Sequence, residues 1–239
     1  MTETREIYRH FTPMLEVAFY VVAFAAMGIF IYGFFRKYQK YRKGRDADRF
    51  NNLLGRFMKA AAIMARNSTV FKRDAFAGLA HWLIFWGFVV LFIGTVIVAI
   101  DYDLLRHLDM KMLQGPFYLL FSLTLDVFGV LFLVGLVMMM SRRVRHLPQL
   151  DYTRNDLKAE QYSRKGYATD DKIFLALLFL IGLTGYFIEG IRIAADRLAH
   201  EVWSPVGWAL ADLSDLAGLT PQANELHLYS WWLHAVLVM

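Results

Sequence analysis

The chain contains no cysteine. It can therefore close no disulfide, and it cannot itself ligate a thiolate zinc site or an iron–sulfur cluster. Any such cluster belongs to a partner or to sequence beyond these 239 residues. There is no internal repeat and no low-complexity stretch. The first apolar block has no small-residue cleavage site: it follows a mixed-charge start (Glu3, Arg5, Glu6, Arg9) and ends in a basic cluster. That pattern reads as a retained helix, not a signal peptide. Charge is scarcest where hydrophobicity is greatest. From Phe76 to Ile100 there are 25 residues and one ionisable side chain, His81.

What is present is apolar surface in blocks. At 57% hydrophobic residues and a mean hydropathy of +0.37, the composition is that of a polytopic membrane protein. The expected fold is all-α, a bundle of five transmembrane helices. The segments are Met14 to Phe35, Phe76 to Ile100, Pro116 to Met140, a fourth from Ile173 that is apolar to Ile188, and a fifth from Glu225. Gly115-Pro116 is a start signal for the third. The fifth meets the end of the sequence at Met239, too soon to cross a bilayer of about 30 Å. The 239 residues are expected to be the N-terminal part of a longer chain. Residues 36–74 carry twelve Lys or Arg and residues 141–172 carry eight, while the three remaining connections carry two each. The positive-inside rule places both basic segments in the cytoplasm and the N-terminus outside. Anionic lipid headgroups account for the basic excess without nucleic acid. Within the 36–74 loop, Leu53 to Ala65 reads as an interfacial helix, with Arg56, Lys59 and Arg66 able to reach headgroups.

An imidazole inside an apolar helix is costly without a partner, which makes His81 a functional candidate. Ala77, Gly78, Phe85 and Phe88 share its face. The two small residues leave a slot in which a flat ring could lie, and haem iron takes an axial imidazole in such a setting. A hydrogen bond to a neighbouring helix is the plainer alternative. His227 and His234, seven apart, share a face with Ser230 and Trp231 between them. His227 is either interfacial, in an aromatic belt with Tyr229, or a ligand or quinone contact. His234 lies about 13.5 Å below the outer edge at 1.5 Å per residue, too deep for a solvated ring. His81 and His234 differ in depth by about 9 Å, more than a single haem standing across the membrane would favour, though helix tilt could remove part of it. Asp126, near the bilayer centre, is either hydrogen-bonded to a helix or part of a proton relay. Glu189 and Arg192, at helical spacing, form a surface ion pair or contribute a proton and a donor to a quinone pocket.

The strings FAGLAHWLIFWGFVVLFIGT, GPFYLLFSLTLDVFGVLFLVGL with Arg142 and Arg143 beyond it, TGYFIEGIRIA and WWLHAVLVM occur in that order. Together they resemble the membrane domain of heterodisulfide-reductase-related iron–sulfur oxidoreductases, within the wider nitrate reductase gamma-subunit group of five-helix, b-haem, quinone-reactive proteins. The resemblance covers nearly the whole chain. It implies haem ligands on the second and fifth helices, here His81 and His234, with His227 as a substitute, and one or two b haems. In the gamma subunits each of those helices bears two histidines, whereas this chain has Leu91 or Thr95 one haem spacing from His81. It further implies menaquinone as substrate, a cytoplasmic iron–sulfur domain or subunit, and electron-transfer flavoprotein as partner. The implied activity is a membrane-bound, quinone-linked oxidoreductase of a bacterial or archaeal cytoplasmic membrane. A non-redox membrane anchor for a soluble dehydrogenase is the alternative. A transporter is the weakest reading, because no matched pair of broken helices is present.

Overall fold

The computed structural model describes residues 4, 8–44, 51–144 and 165–239, with side chains for all of these except 165–168. Arg45, Arg49, Arg145, Arg154, Lys158 and Arg164 of the basic segments lie outside the described residues, as do Glu3, Arg5 and Glu6. Among the described residues every regular element is helical. The chain divides into two compact units, Met1–Ile7 with Arg66–Val238, and Tyr8–Ala65 with Met239.

The smaller unit holds α1 (Pro13–Tyr41) and nearly all of α2 (Leu53–Arg66). Thr12 caps α1, its hydroxyl accepting from the Leu15 N–H at 3.4 Å, with Pro13 in the first turn. The helix runs past the expected end at Phe35, because basic residues such as Lys40 suit a helix C-terminus and extend the last turns. In α2, Leu54, Phe57, Met58 and Met64 are exposed apolar residues on a helix that also carries Arg56, Lys59 and Arg66. That is the composition of a helix lying in an interface.

The larger unit begins with α3 (Ser68–Arg73), which folds back on the start of α4 (Ala75–Ala99). Asn67, in left-handed backbone, donates to the Gly78 carbonyl at 3.0 Å, and Phe71 lies against Gly78. A π-helical turn (Ile100–Leu104) and a 3-10 turn (Leu105–Leu108) carry α4 beyond its expected end at Ile100. The buried carboxylate of Asp101 closes the following turn by accepting from the Leu113 N–H at 3.0 Å. Next come α5 (Gly115–Val144) and α6 (Lys165–Asp196). A 3-10 turn (Ala199–Trp203), α7 (Pro205–Leu216) and α8 (Ala223–Val238) complete the unit.

Among the described residues, four helical stretches are long and apolar enough to cross a membrane: Pro13–Tyr41, Ala75–Leu108, Gly115–Val144 and Thr169–Asp196. The 16 residues of α8 are not. A helix the apolar pattern passed over is α7, within a stretch read as a connection. Its signals are capping signals: Pro205 at the first position, and Gly218 beyond the end at φ +70°. Its 12 residues are too few and too mixed to form an apolar run.

Small residues set the helix spacing, a pattern common to helix pairs that pack in lipid. Gly87 of α4 meets Phe132 of α5, Gly135 of α5 meets Ala80 and Ile84 of α4, and Gly190 of α6 meets Leu210 of α7. Ion pairs gather three helix ends on one side. Arg142 reaches Asp74 at 2.5 Å, and Arg143 reaches Asp171 at 2.7 Å. Asp74 caps α4 by accepting from the Ala77 N–H at 3.0 Å, and that bond, with Arg142 beside it, holds the carboxyl below the usual carboxylate range.

Gly87→Ala should test the α4–α5 contact, since a Cβ there would come within 2.6 Å of the Phe132 Cβ. Overpacking of this kind costs about 1–3 kcal/mol. The unfolding midpoint in detergent should fall, while Gly33→Ala on α1, which meets nothing within 4 Å, should leave it unchanged. Equal midpoints in the two variants would contradict the packing.

Candidate functional site

Five buried polar residues, Ser122, Asp126, Arg192, Glu201 and Ser204, converge where α5, α6, the 199–203 turn and α7 meet. Asp126 of α5 accepts from the backbone N–H groups of Val206 at 2.9 Å and Gly207 at 3.3 Å. Its carboxylate thus satisfies donors that the first turn of α7 cannot satisfy within the helix. Tyr186 of α6 donates its hydroxyl to the Asp126 carbonyl, its ring lying over Gly129. Asp126 is thus hydrogen-bonded to the start of a neighbouring helix.

Arg192 is gripped from an unexpected side. Its guanidinium donates to both carboxylate oxygens of Glu201, through Nη1 to Oε1 and through Nη2 to Oε2 at 2.9 Å. The two side chains are 8% and 1% exposed. Glu189, expected as the partner, stands 4.0 Å from Nη2 and is 24% exposed. Its Oε1 accepts the Ser204 hydroxyl at 2.9 Å. Ser204 has then spent its hydrogen, so the Ser122 hydroxyl at 2.5 Å must be the donor to it. The order is Ser122 to Ser204 to Glu189, a directed chain ending on the carboxylate nearest the surface. One guanidinium faces two carboxylates, and Glu189 is the one held less closely.

Asp126, Glu189 and Arg192 are thus brought into one cluster. Glu201, Ser204, Ser122 and Tyr186 belong to it and were missed from sequence. The signals available were faint: Ser122 and Asp126 share a face of α5 at i, i+4, and Glu201 stands just ahead of the Ser204-Pro205 helix start.

The three histidines singled out from the sequence lie elsewhere, while His200 stands beside the cluster, its Nε2 3.9 Å from Glu201 Oε1. On α8, Ala223, His227, Ser230 and Ala235 form the buried face. His227 and His234 share a side, as their spacing requires, and His227 is buried. His234 is half-buried, its Nδ1 2.8 Å from the Thr184 hydroxyl of α6. Glu189 is five residues beyond Thr184, about 7.5 Å along the same helix at 1.5 Å per residue. His81 is exposed on α4. The slot expected beside it is filled at Gly78 by the Phe71 ring, because Asn67 ties α3 to that point. Nothing bonds the His81 ring among the described residues. An imidazole within an apolar helix and a second whose Nδ1 is already engaged fit, as donors, an iron ligated by imidazole nitrogen.

Fold and cluster together define an all-helical protein with helices of membrane-crossing length and a paired polar core between them. No family profile matches the chain, and no solved structure matches it. It is similar to the EtfAB:quinone oxidoreductase of Syntrophomonas wolfei subsp. wolfei, at 29% identity over 232 residues. That match takes in 93% of this chain and 30% of the relative's length.

Removing one member of the buried pair should be costly. Glu201→Gln should destabilise the protein by about 3–5 kcal/mol, because it strands the Arg192 charge. The double variant Arg192→Met with Glu201→Leu should recover most of that loss in a detergent unfolding series. If the single and double variants are equally destabilised, the stranded charge is not the cause.

Proposed function

We propose that the chain is a membrane-embedded electron-transfer module, part of a quinone-linked oxidoreductase. The observation that carries this reading is the arrangement along α6. A hydrogen-bonded histidine, His234 on Thr184, and a partly exposed carboxylate, Glu189, are held by one apolar helix, Thr184 and Glu189 being about 7.5 Å apart along its axis and about 140° apart around it. Redox work at a quinone needs both an electron carrier and a proton carrier, and α6 would hold one of each.

A b-type haem, bound by His81 and His234, would supply one-electron transfer between a cytoplasmic donor and menaquinone. His81 supports this as an exposed imidazole on a helix otherwise without ionisable side chains, where a ring lacking a partner is costly. The number of haems is one or two, and His227 is the substitute ligand. Glu189 exchanges the proton at the quinone, refilled through Ser204 and Ser122, with Asp126 standing one turn behind Ser122 as the inner member of the relay. Arg192 contributes chiefly by positioning, since its fork is taken by Glu201.

The name of the Syntrophomonas wolfei relative, which joins EtfAB to a quinone, supports electron-transfer flavoprotein as the soluble partner. With no cysteine in the chain, the iron–sulfur clusters of such a path would sit in a partner or a further domain. Five helices cross a bacterial or archaeal cytoplasmic membrane in this proposal, α8 belonging to the fifth, with the N-terminus outside. The ion pairs that gather Asp74, Arg142, Arg143 and Asp171 at one end agree with a shared cytoplasmic side for both basic segments.

A dithionite-reduced minus oxidised spectrum with a pyridine haemochrome count tests the reading. A b-type spectrum is expected, and His81→Ala should remove most or all of it. An unchanged spectrum in that variant would sink the ligand assignment, and no haem in the wild type would leave a non-redox membrane anchor. Glu189→Gln should slow menaquinone turnover by about 10²-fold or more with haem retained. Normal quinone kinetics would reduce Glu189 to a structural ion-pair partner.

A further inference from the structure

Thr184 lies in the middle of α6, where its hydroxyl meets three acceptors or potential acceptors. The Leu180 carbonyl is 2.8 Å away, the Ile181 carbonyl 3.1 Å away, and His234 Nδ1 2.8 Å away. A threonine hydroxyl has one hydrogen, and the two carbonyls can only accept. The hydrogen is therefore drawn back to the helix's own backbone, in the way threonines in apolar helices bond the preceding turn. What the oxygen offers His234 is a lone pair. Nδ1 must then carry the ring hydrogen, which leaves Nε2 as the nitrogen with a free lone pair. An imidazole that coordinates metal through one nitrogen commonly donates the other N–H to such an acceptor, which fixes the tautomer and raises ligand basicity.

We infer that Thr184 is a positioning residue for His234, holding it as the Nδ1–H tautomer with Nε2 presented as an iron ligand. The inference rests on the haem reading above. It adds that the α6 backbone, through one hydroxyl, chooses which histidine nitrogen is available and how strong a donor it is. At Gly185, next in sequence, a Cβ would sit 3.5 Å from His234 Cε1, in ordinary contact. A stronger imidazole donor favours ferric over ferrous iron, so losing the Thr184 acceptor should shift the midpoint potential to a more positive value.

The experiment is a redox titration of haem absorbance, with a haemochrome count, on the purified full-length wild type, Thr184→Val and Thr184→Ser. Thr184→Val keeps the side-chain shape and removes the acceptor. It should hold haem about tenfold less tightly and titrate at a more positive potential, while Thr184→Ser should return both to the wild-type values. Haem in the wild type with an unchanged potential and haem content in Thr184→Val overturns the inference and leaves the haem reading standing. Wild-type protein without haem overturns both. If Thr184→Val loses haem altogether, Thr184→Ser decides. Restored haem and potential support the hydroxyl's role, and haem lost from the serine variant as well overturns it.

Discussion

Arg192 and Glu201 face one another through two parallel hydrogen bonds in a place where neither charge could be left alone. Desolvating a guanidinium and a carboxylate costs several kcal/mol each, and only close bidentate geometry offsets it. The chain meets that demand by returning. After α6 it turns at Arg197, which reaches Asp212 at 2.7 Å and also Asp215, and the 199–203 turn then sets Glu201 against α6. Once Glu201 is there, Ser204 follows within reach of Glu189 and Ser122, and α7 begins with its N-terminus over Asp126. The path from α6 to α7 is thus drawn by charges and donors that must be satisfied.

The apolar helices obey a different rule. Between α4 and α5 the close approach comes from glycine on each side, at Gly87 and Gly135, because the benefit lies in contact between backbones and not in excluding water. The same economy of space admits Phe71 onto Gly78 and the Tyr186 ring onto Gly129. The first places an aromatic ring one turn from His81. The second delivers a hydroxyl to the Asp126 carbonyl. Glycines that read as slots in the sequence serve as seats for the protein's own rings.

These two rules leave the histidines in contrasting settings. His227 is enclosed, His234 is held from behind by Thr184, and His81 is exposed. A ring held at one nitrogen and open at the other is prepared for a ligand in a way that an enclosed ring is not. The proposed division of labour follows: His234 and His81 toward iron, Glu189 toward the proton, and the Arg192–Glu201 pair as the frame that keeps α6 and the following turn in register.

Much of this was legible in the residues themselves. Long apolar runs must be helices if they are to satisfy their backbone in lipid, so the spans at Phe76 and Pro116 could be read to within a few residues of where α4 and α5 lie, whereas α6 begins at Lys165, well ahead of Ile173. The amphipathic α2 and the shared face of His227 and His234 follow from helical periodicity in the same way. Asp126, Glu189 and Arg192 stood out because charge in an apolar run is rare. Their partners did not stand out. Glu201, Ser204 and Ser122 are unremarkable in composition and distant in sequence, Ser122 and Ser204 being 82 positions apart. The short α7 shows no apolar run, and its start depends on a carboxylate from another helix. Periodicity is a local property and was carried by the sequence alone. Which carboxylate Arg192 takes, which ring fills Gly78 and which hydroxyl His234 Nδ1 meets depend on groups brought together from separate helices, and only the tertiary structure decided them.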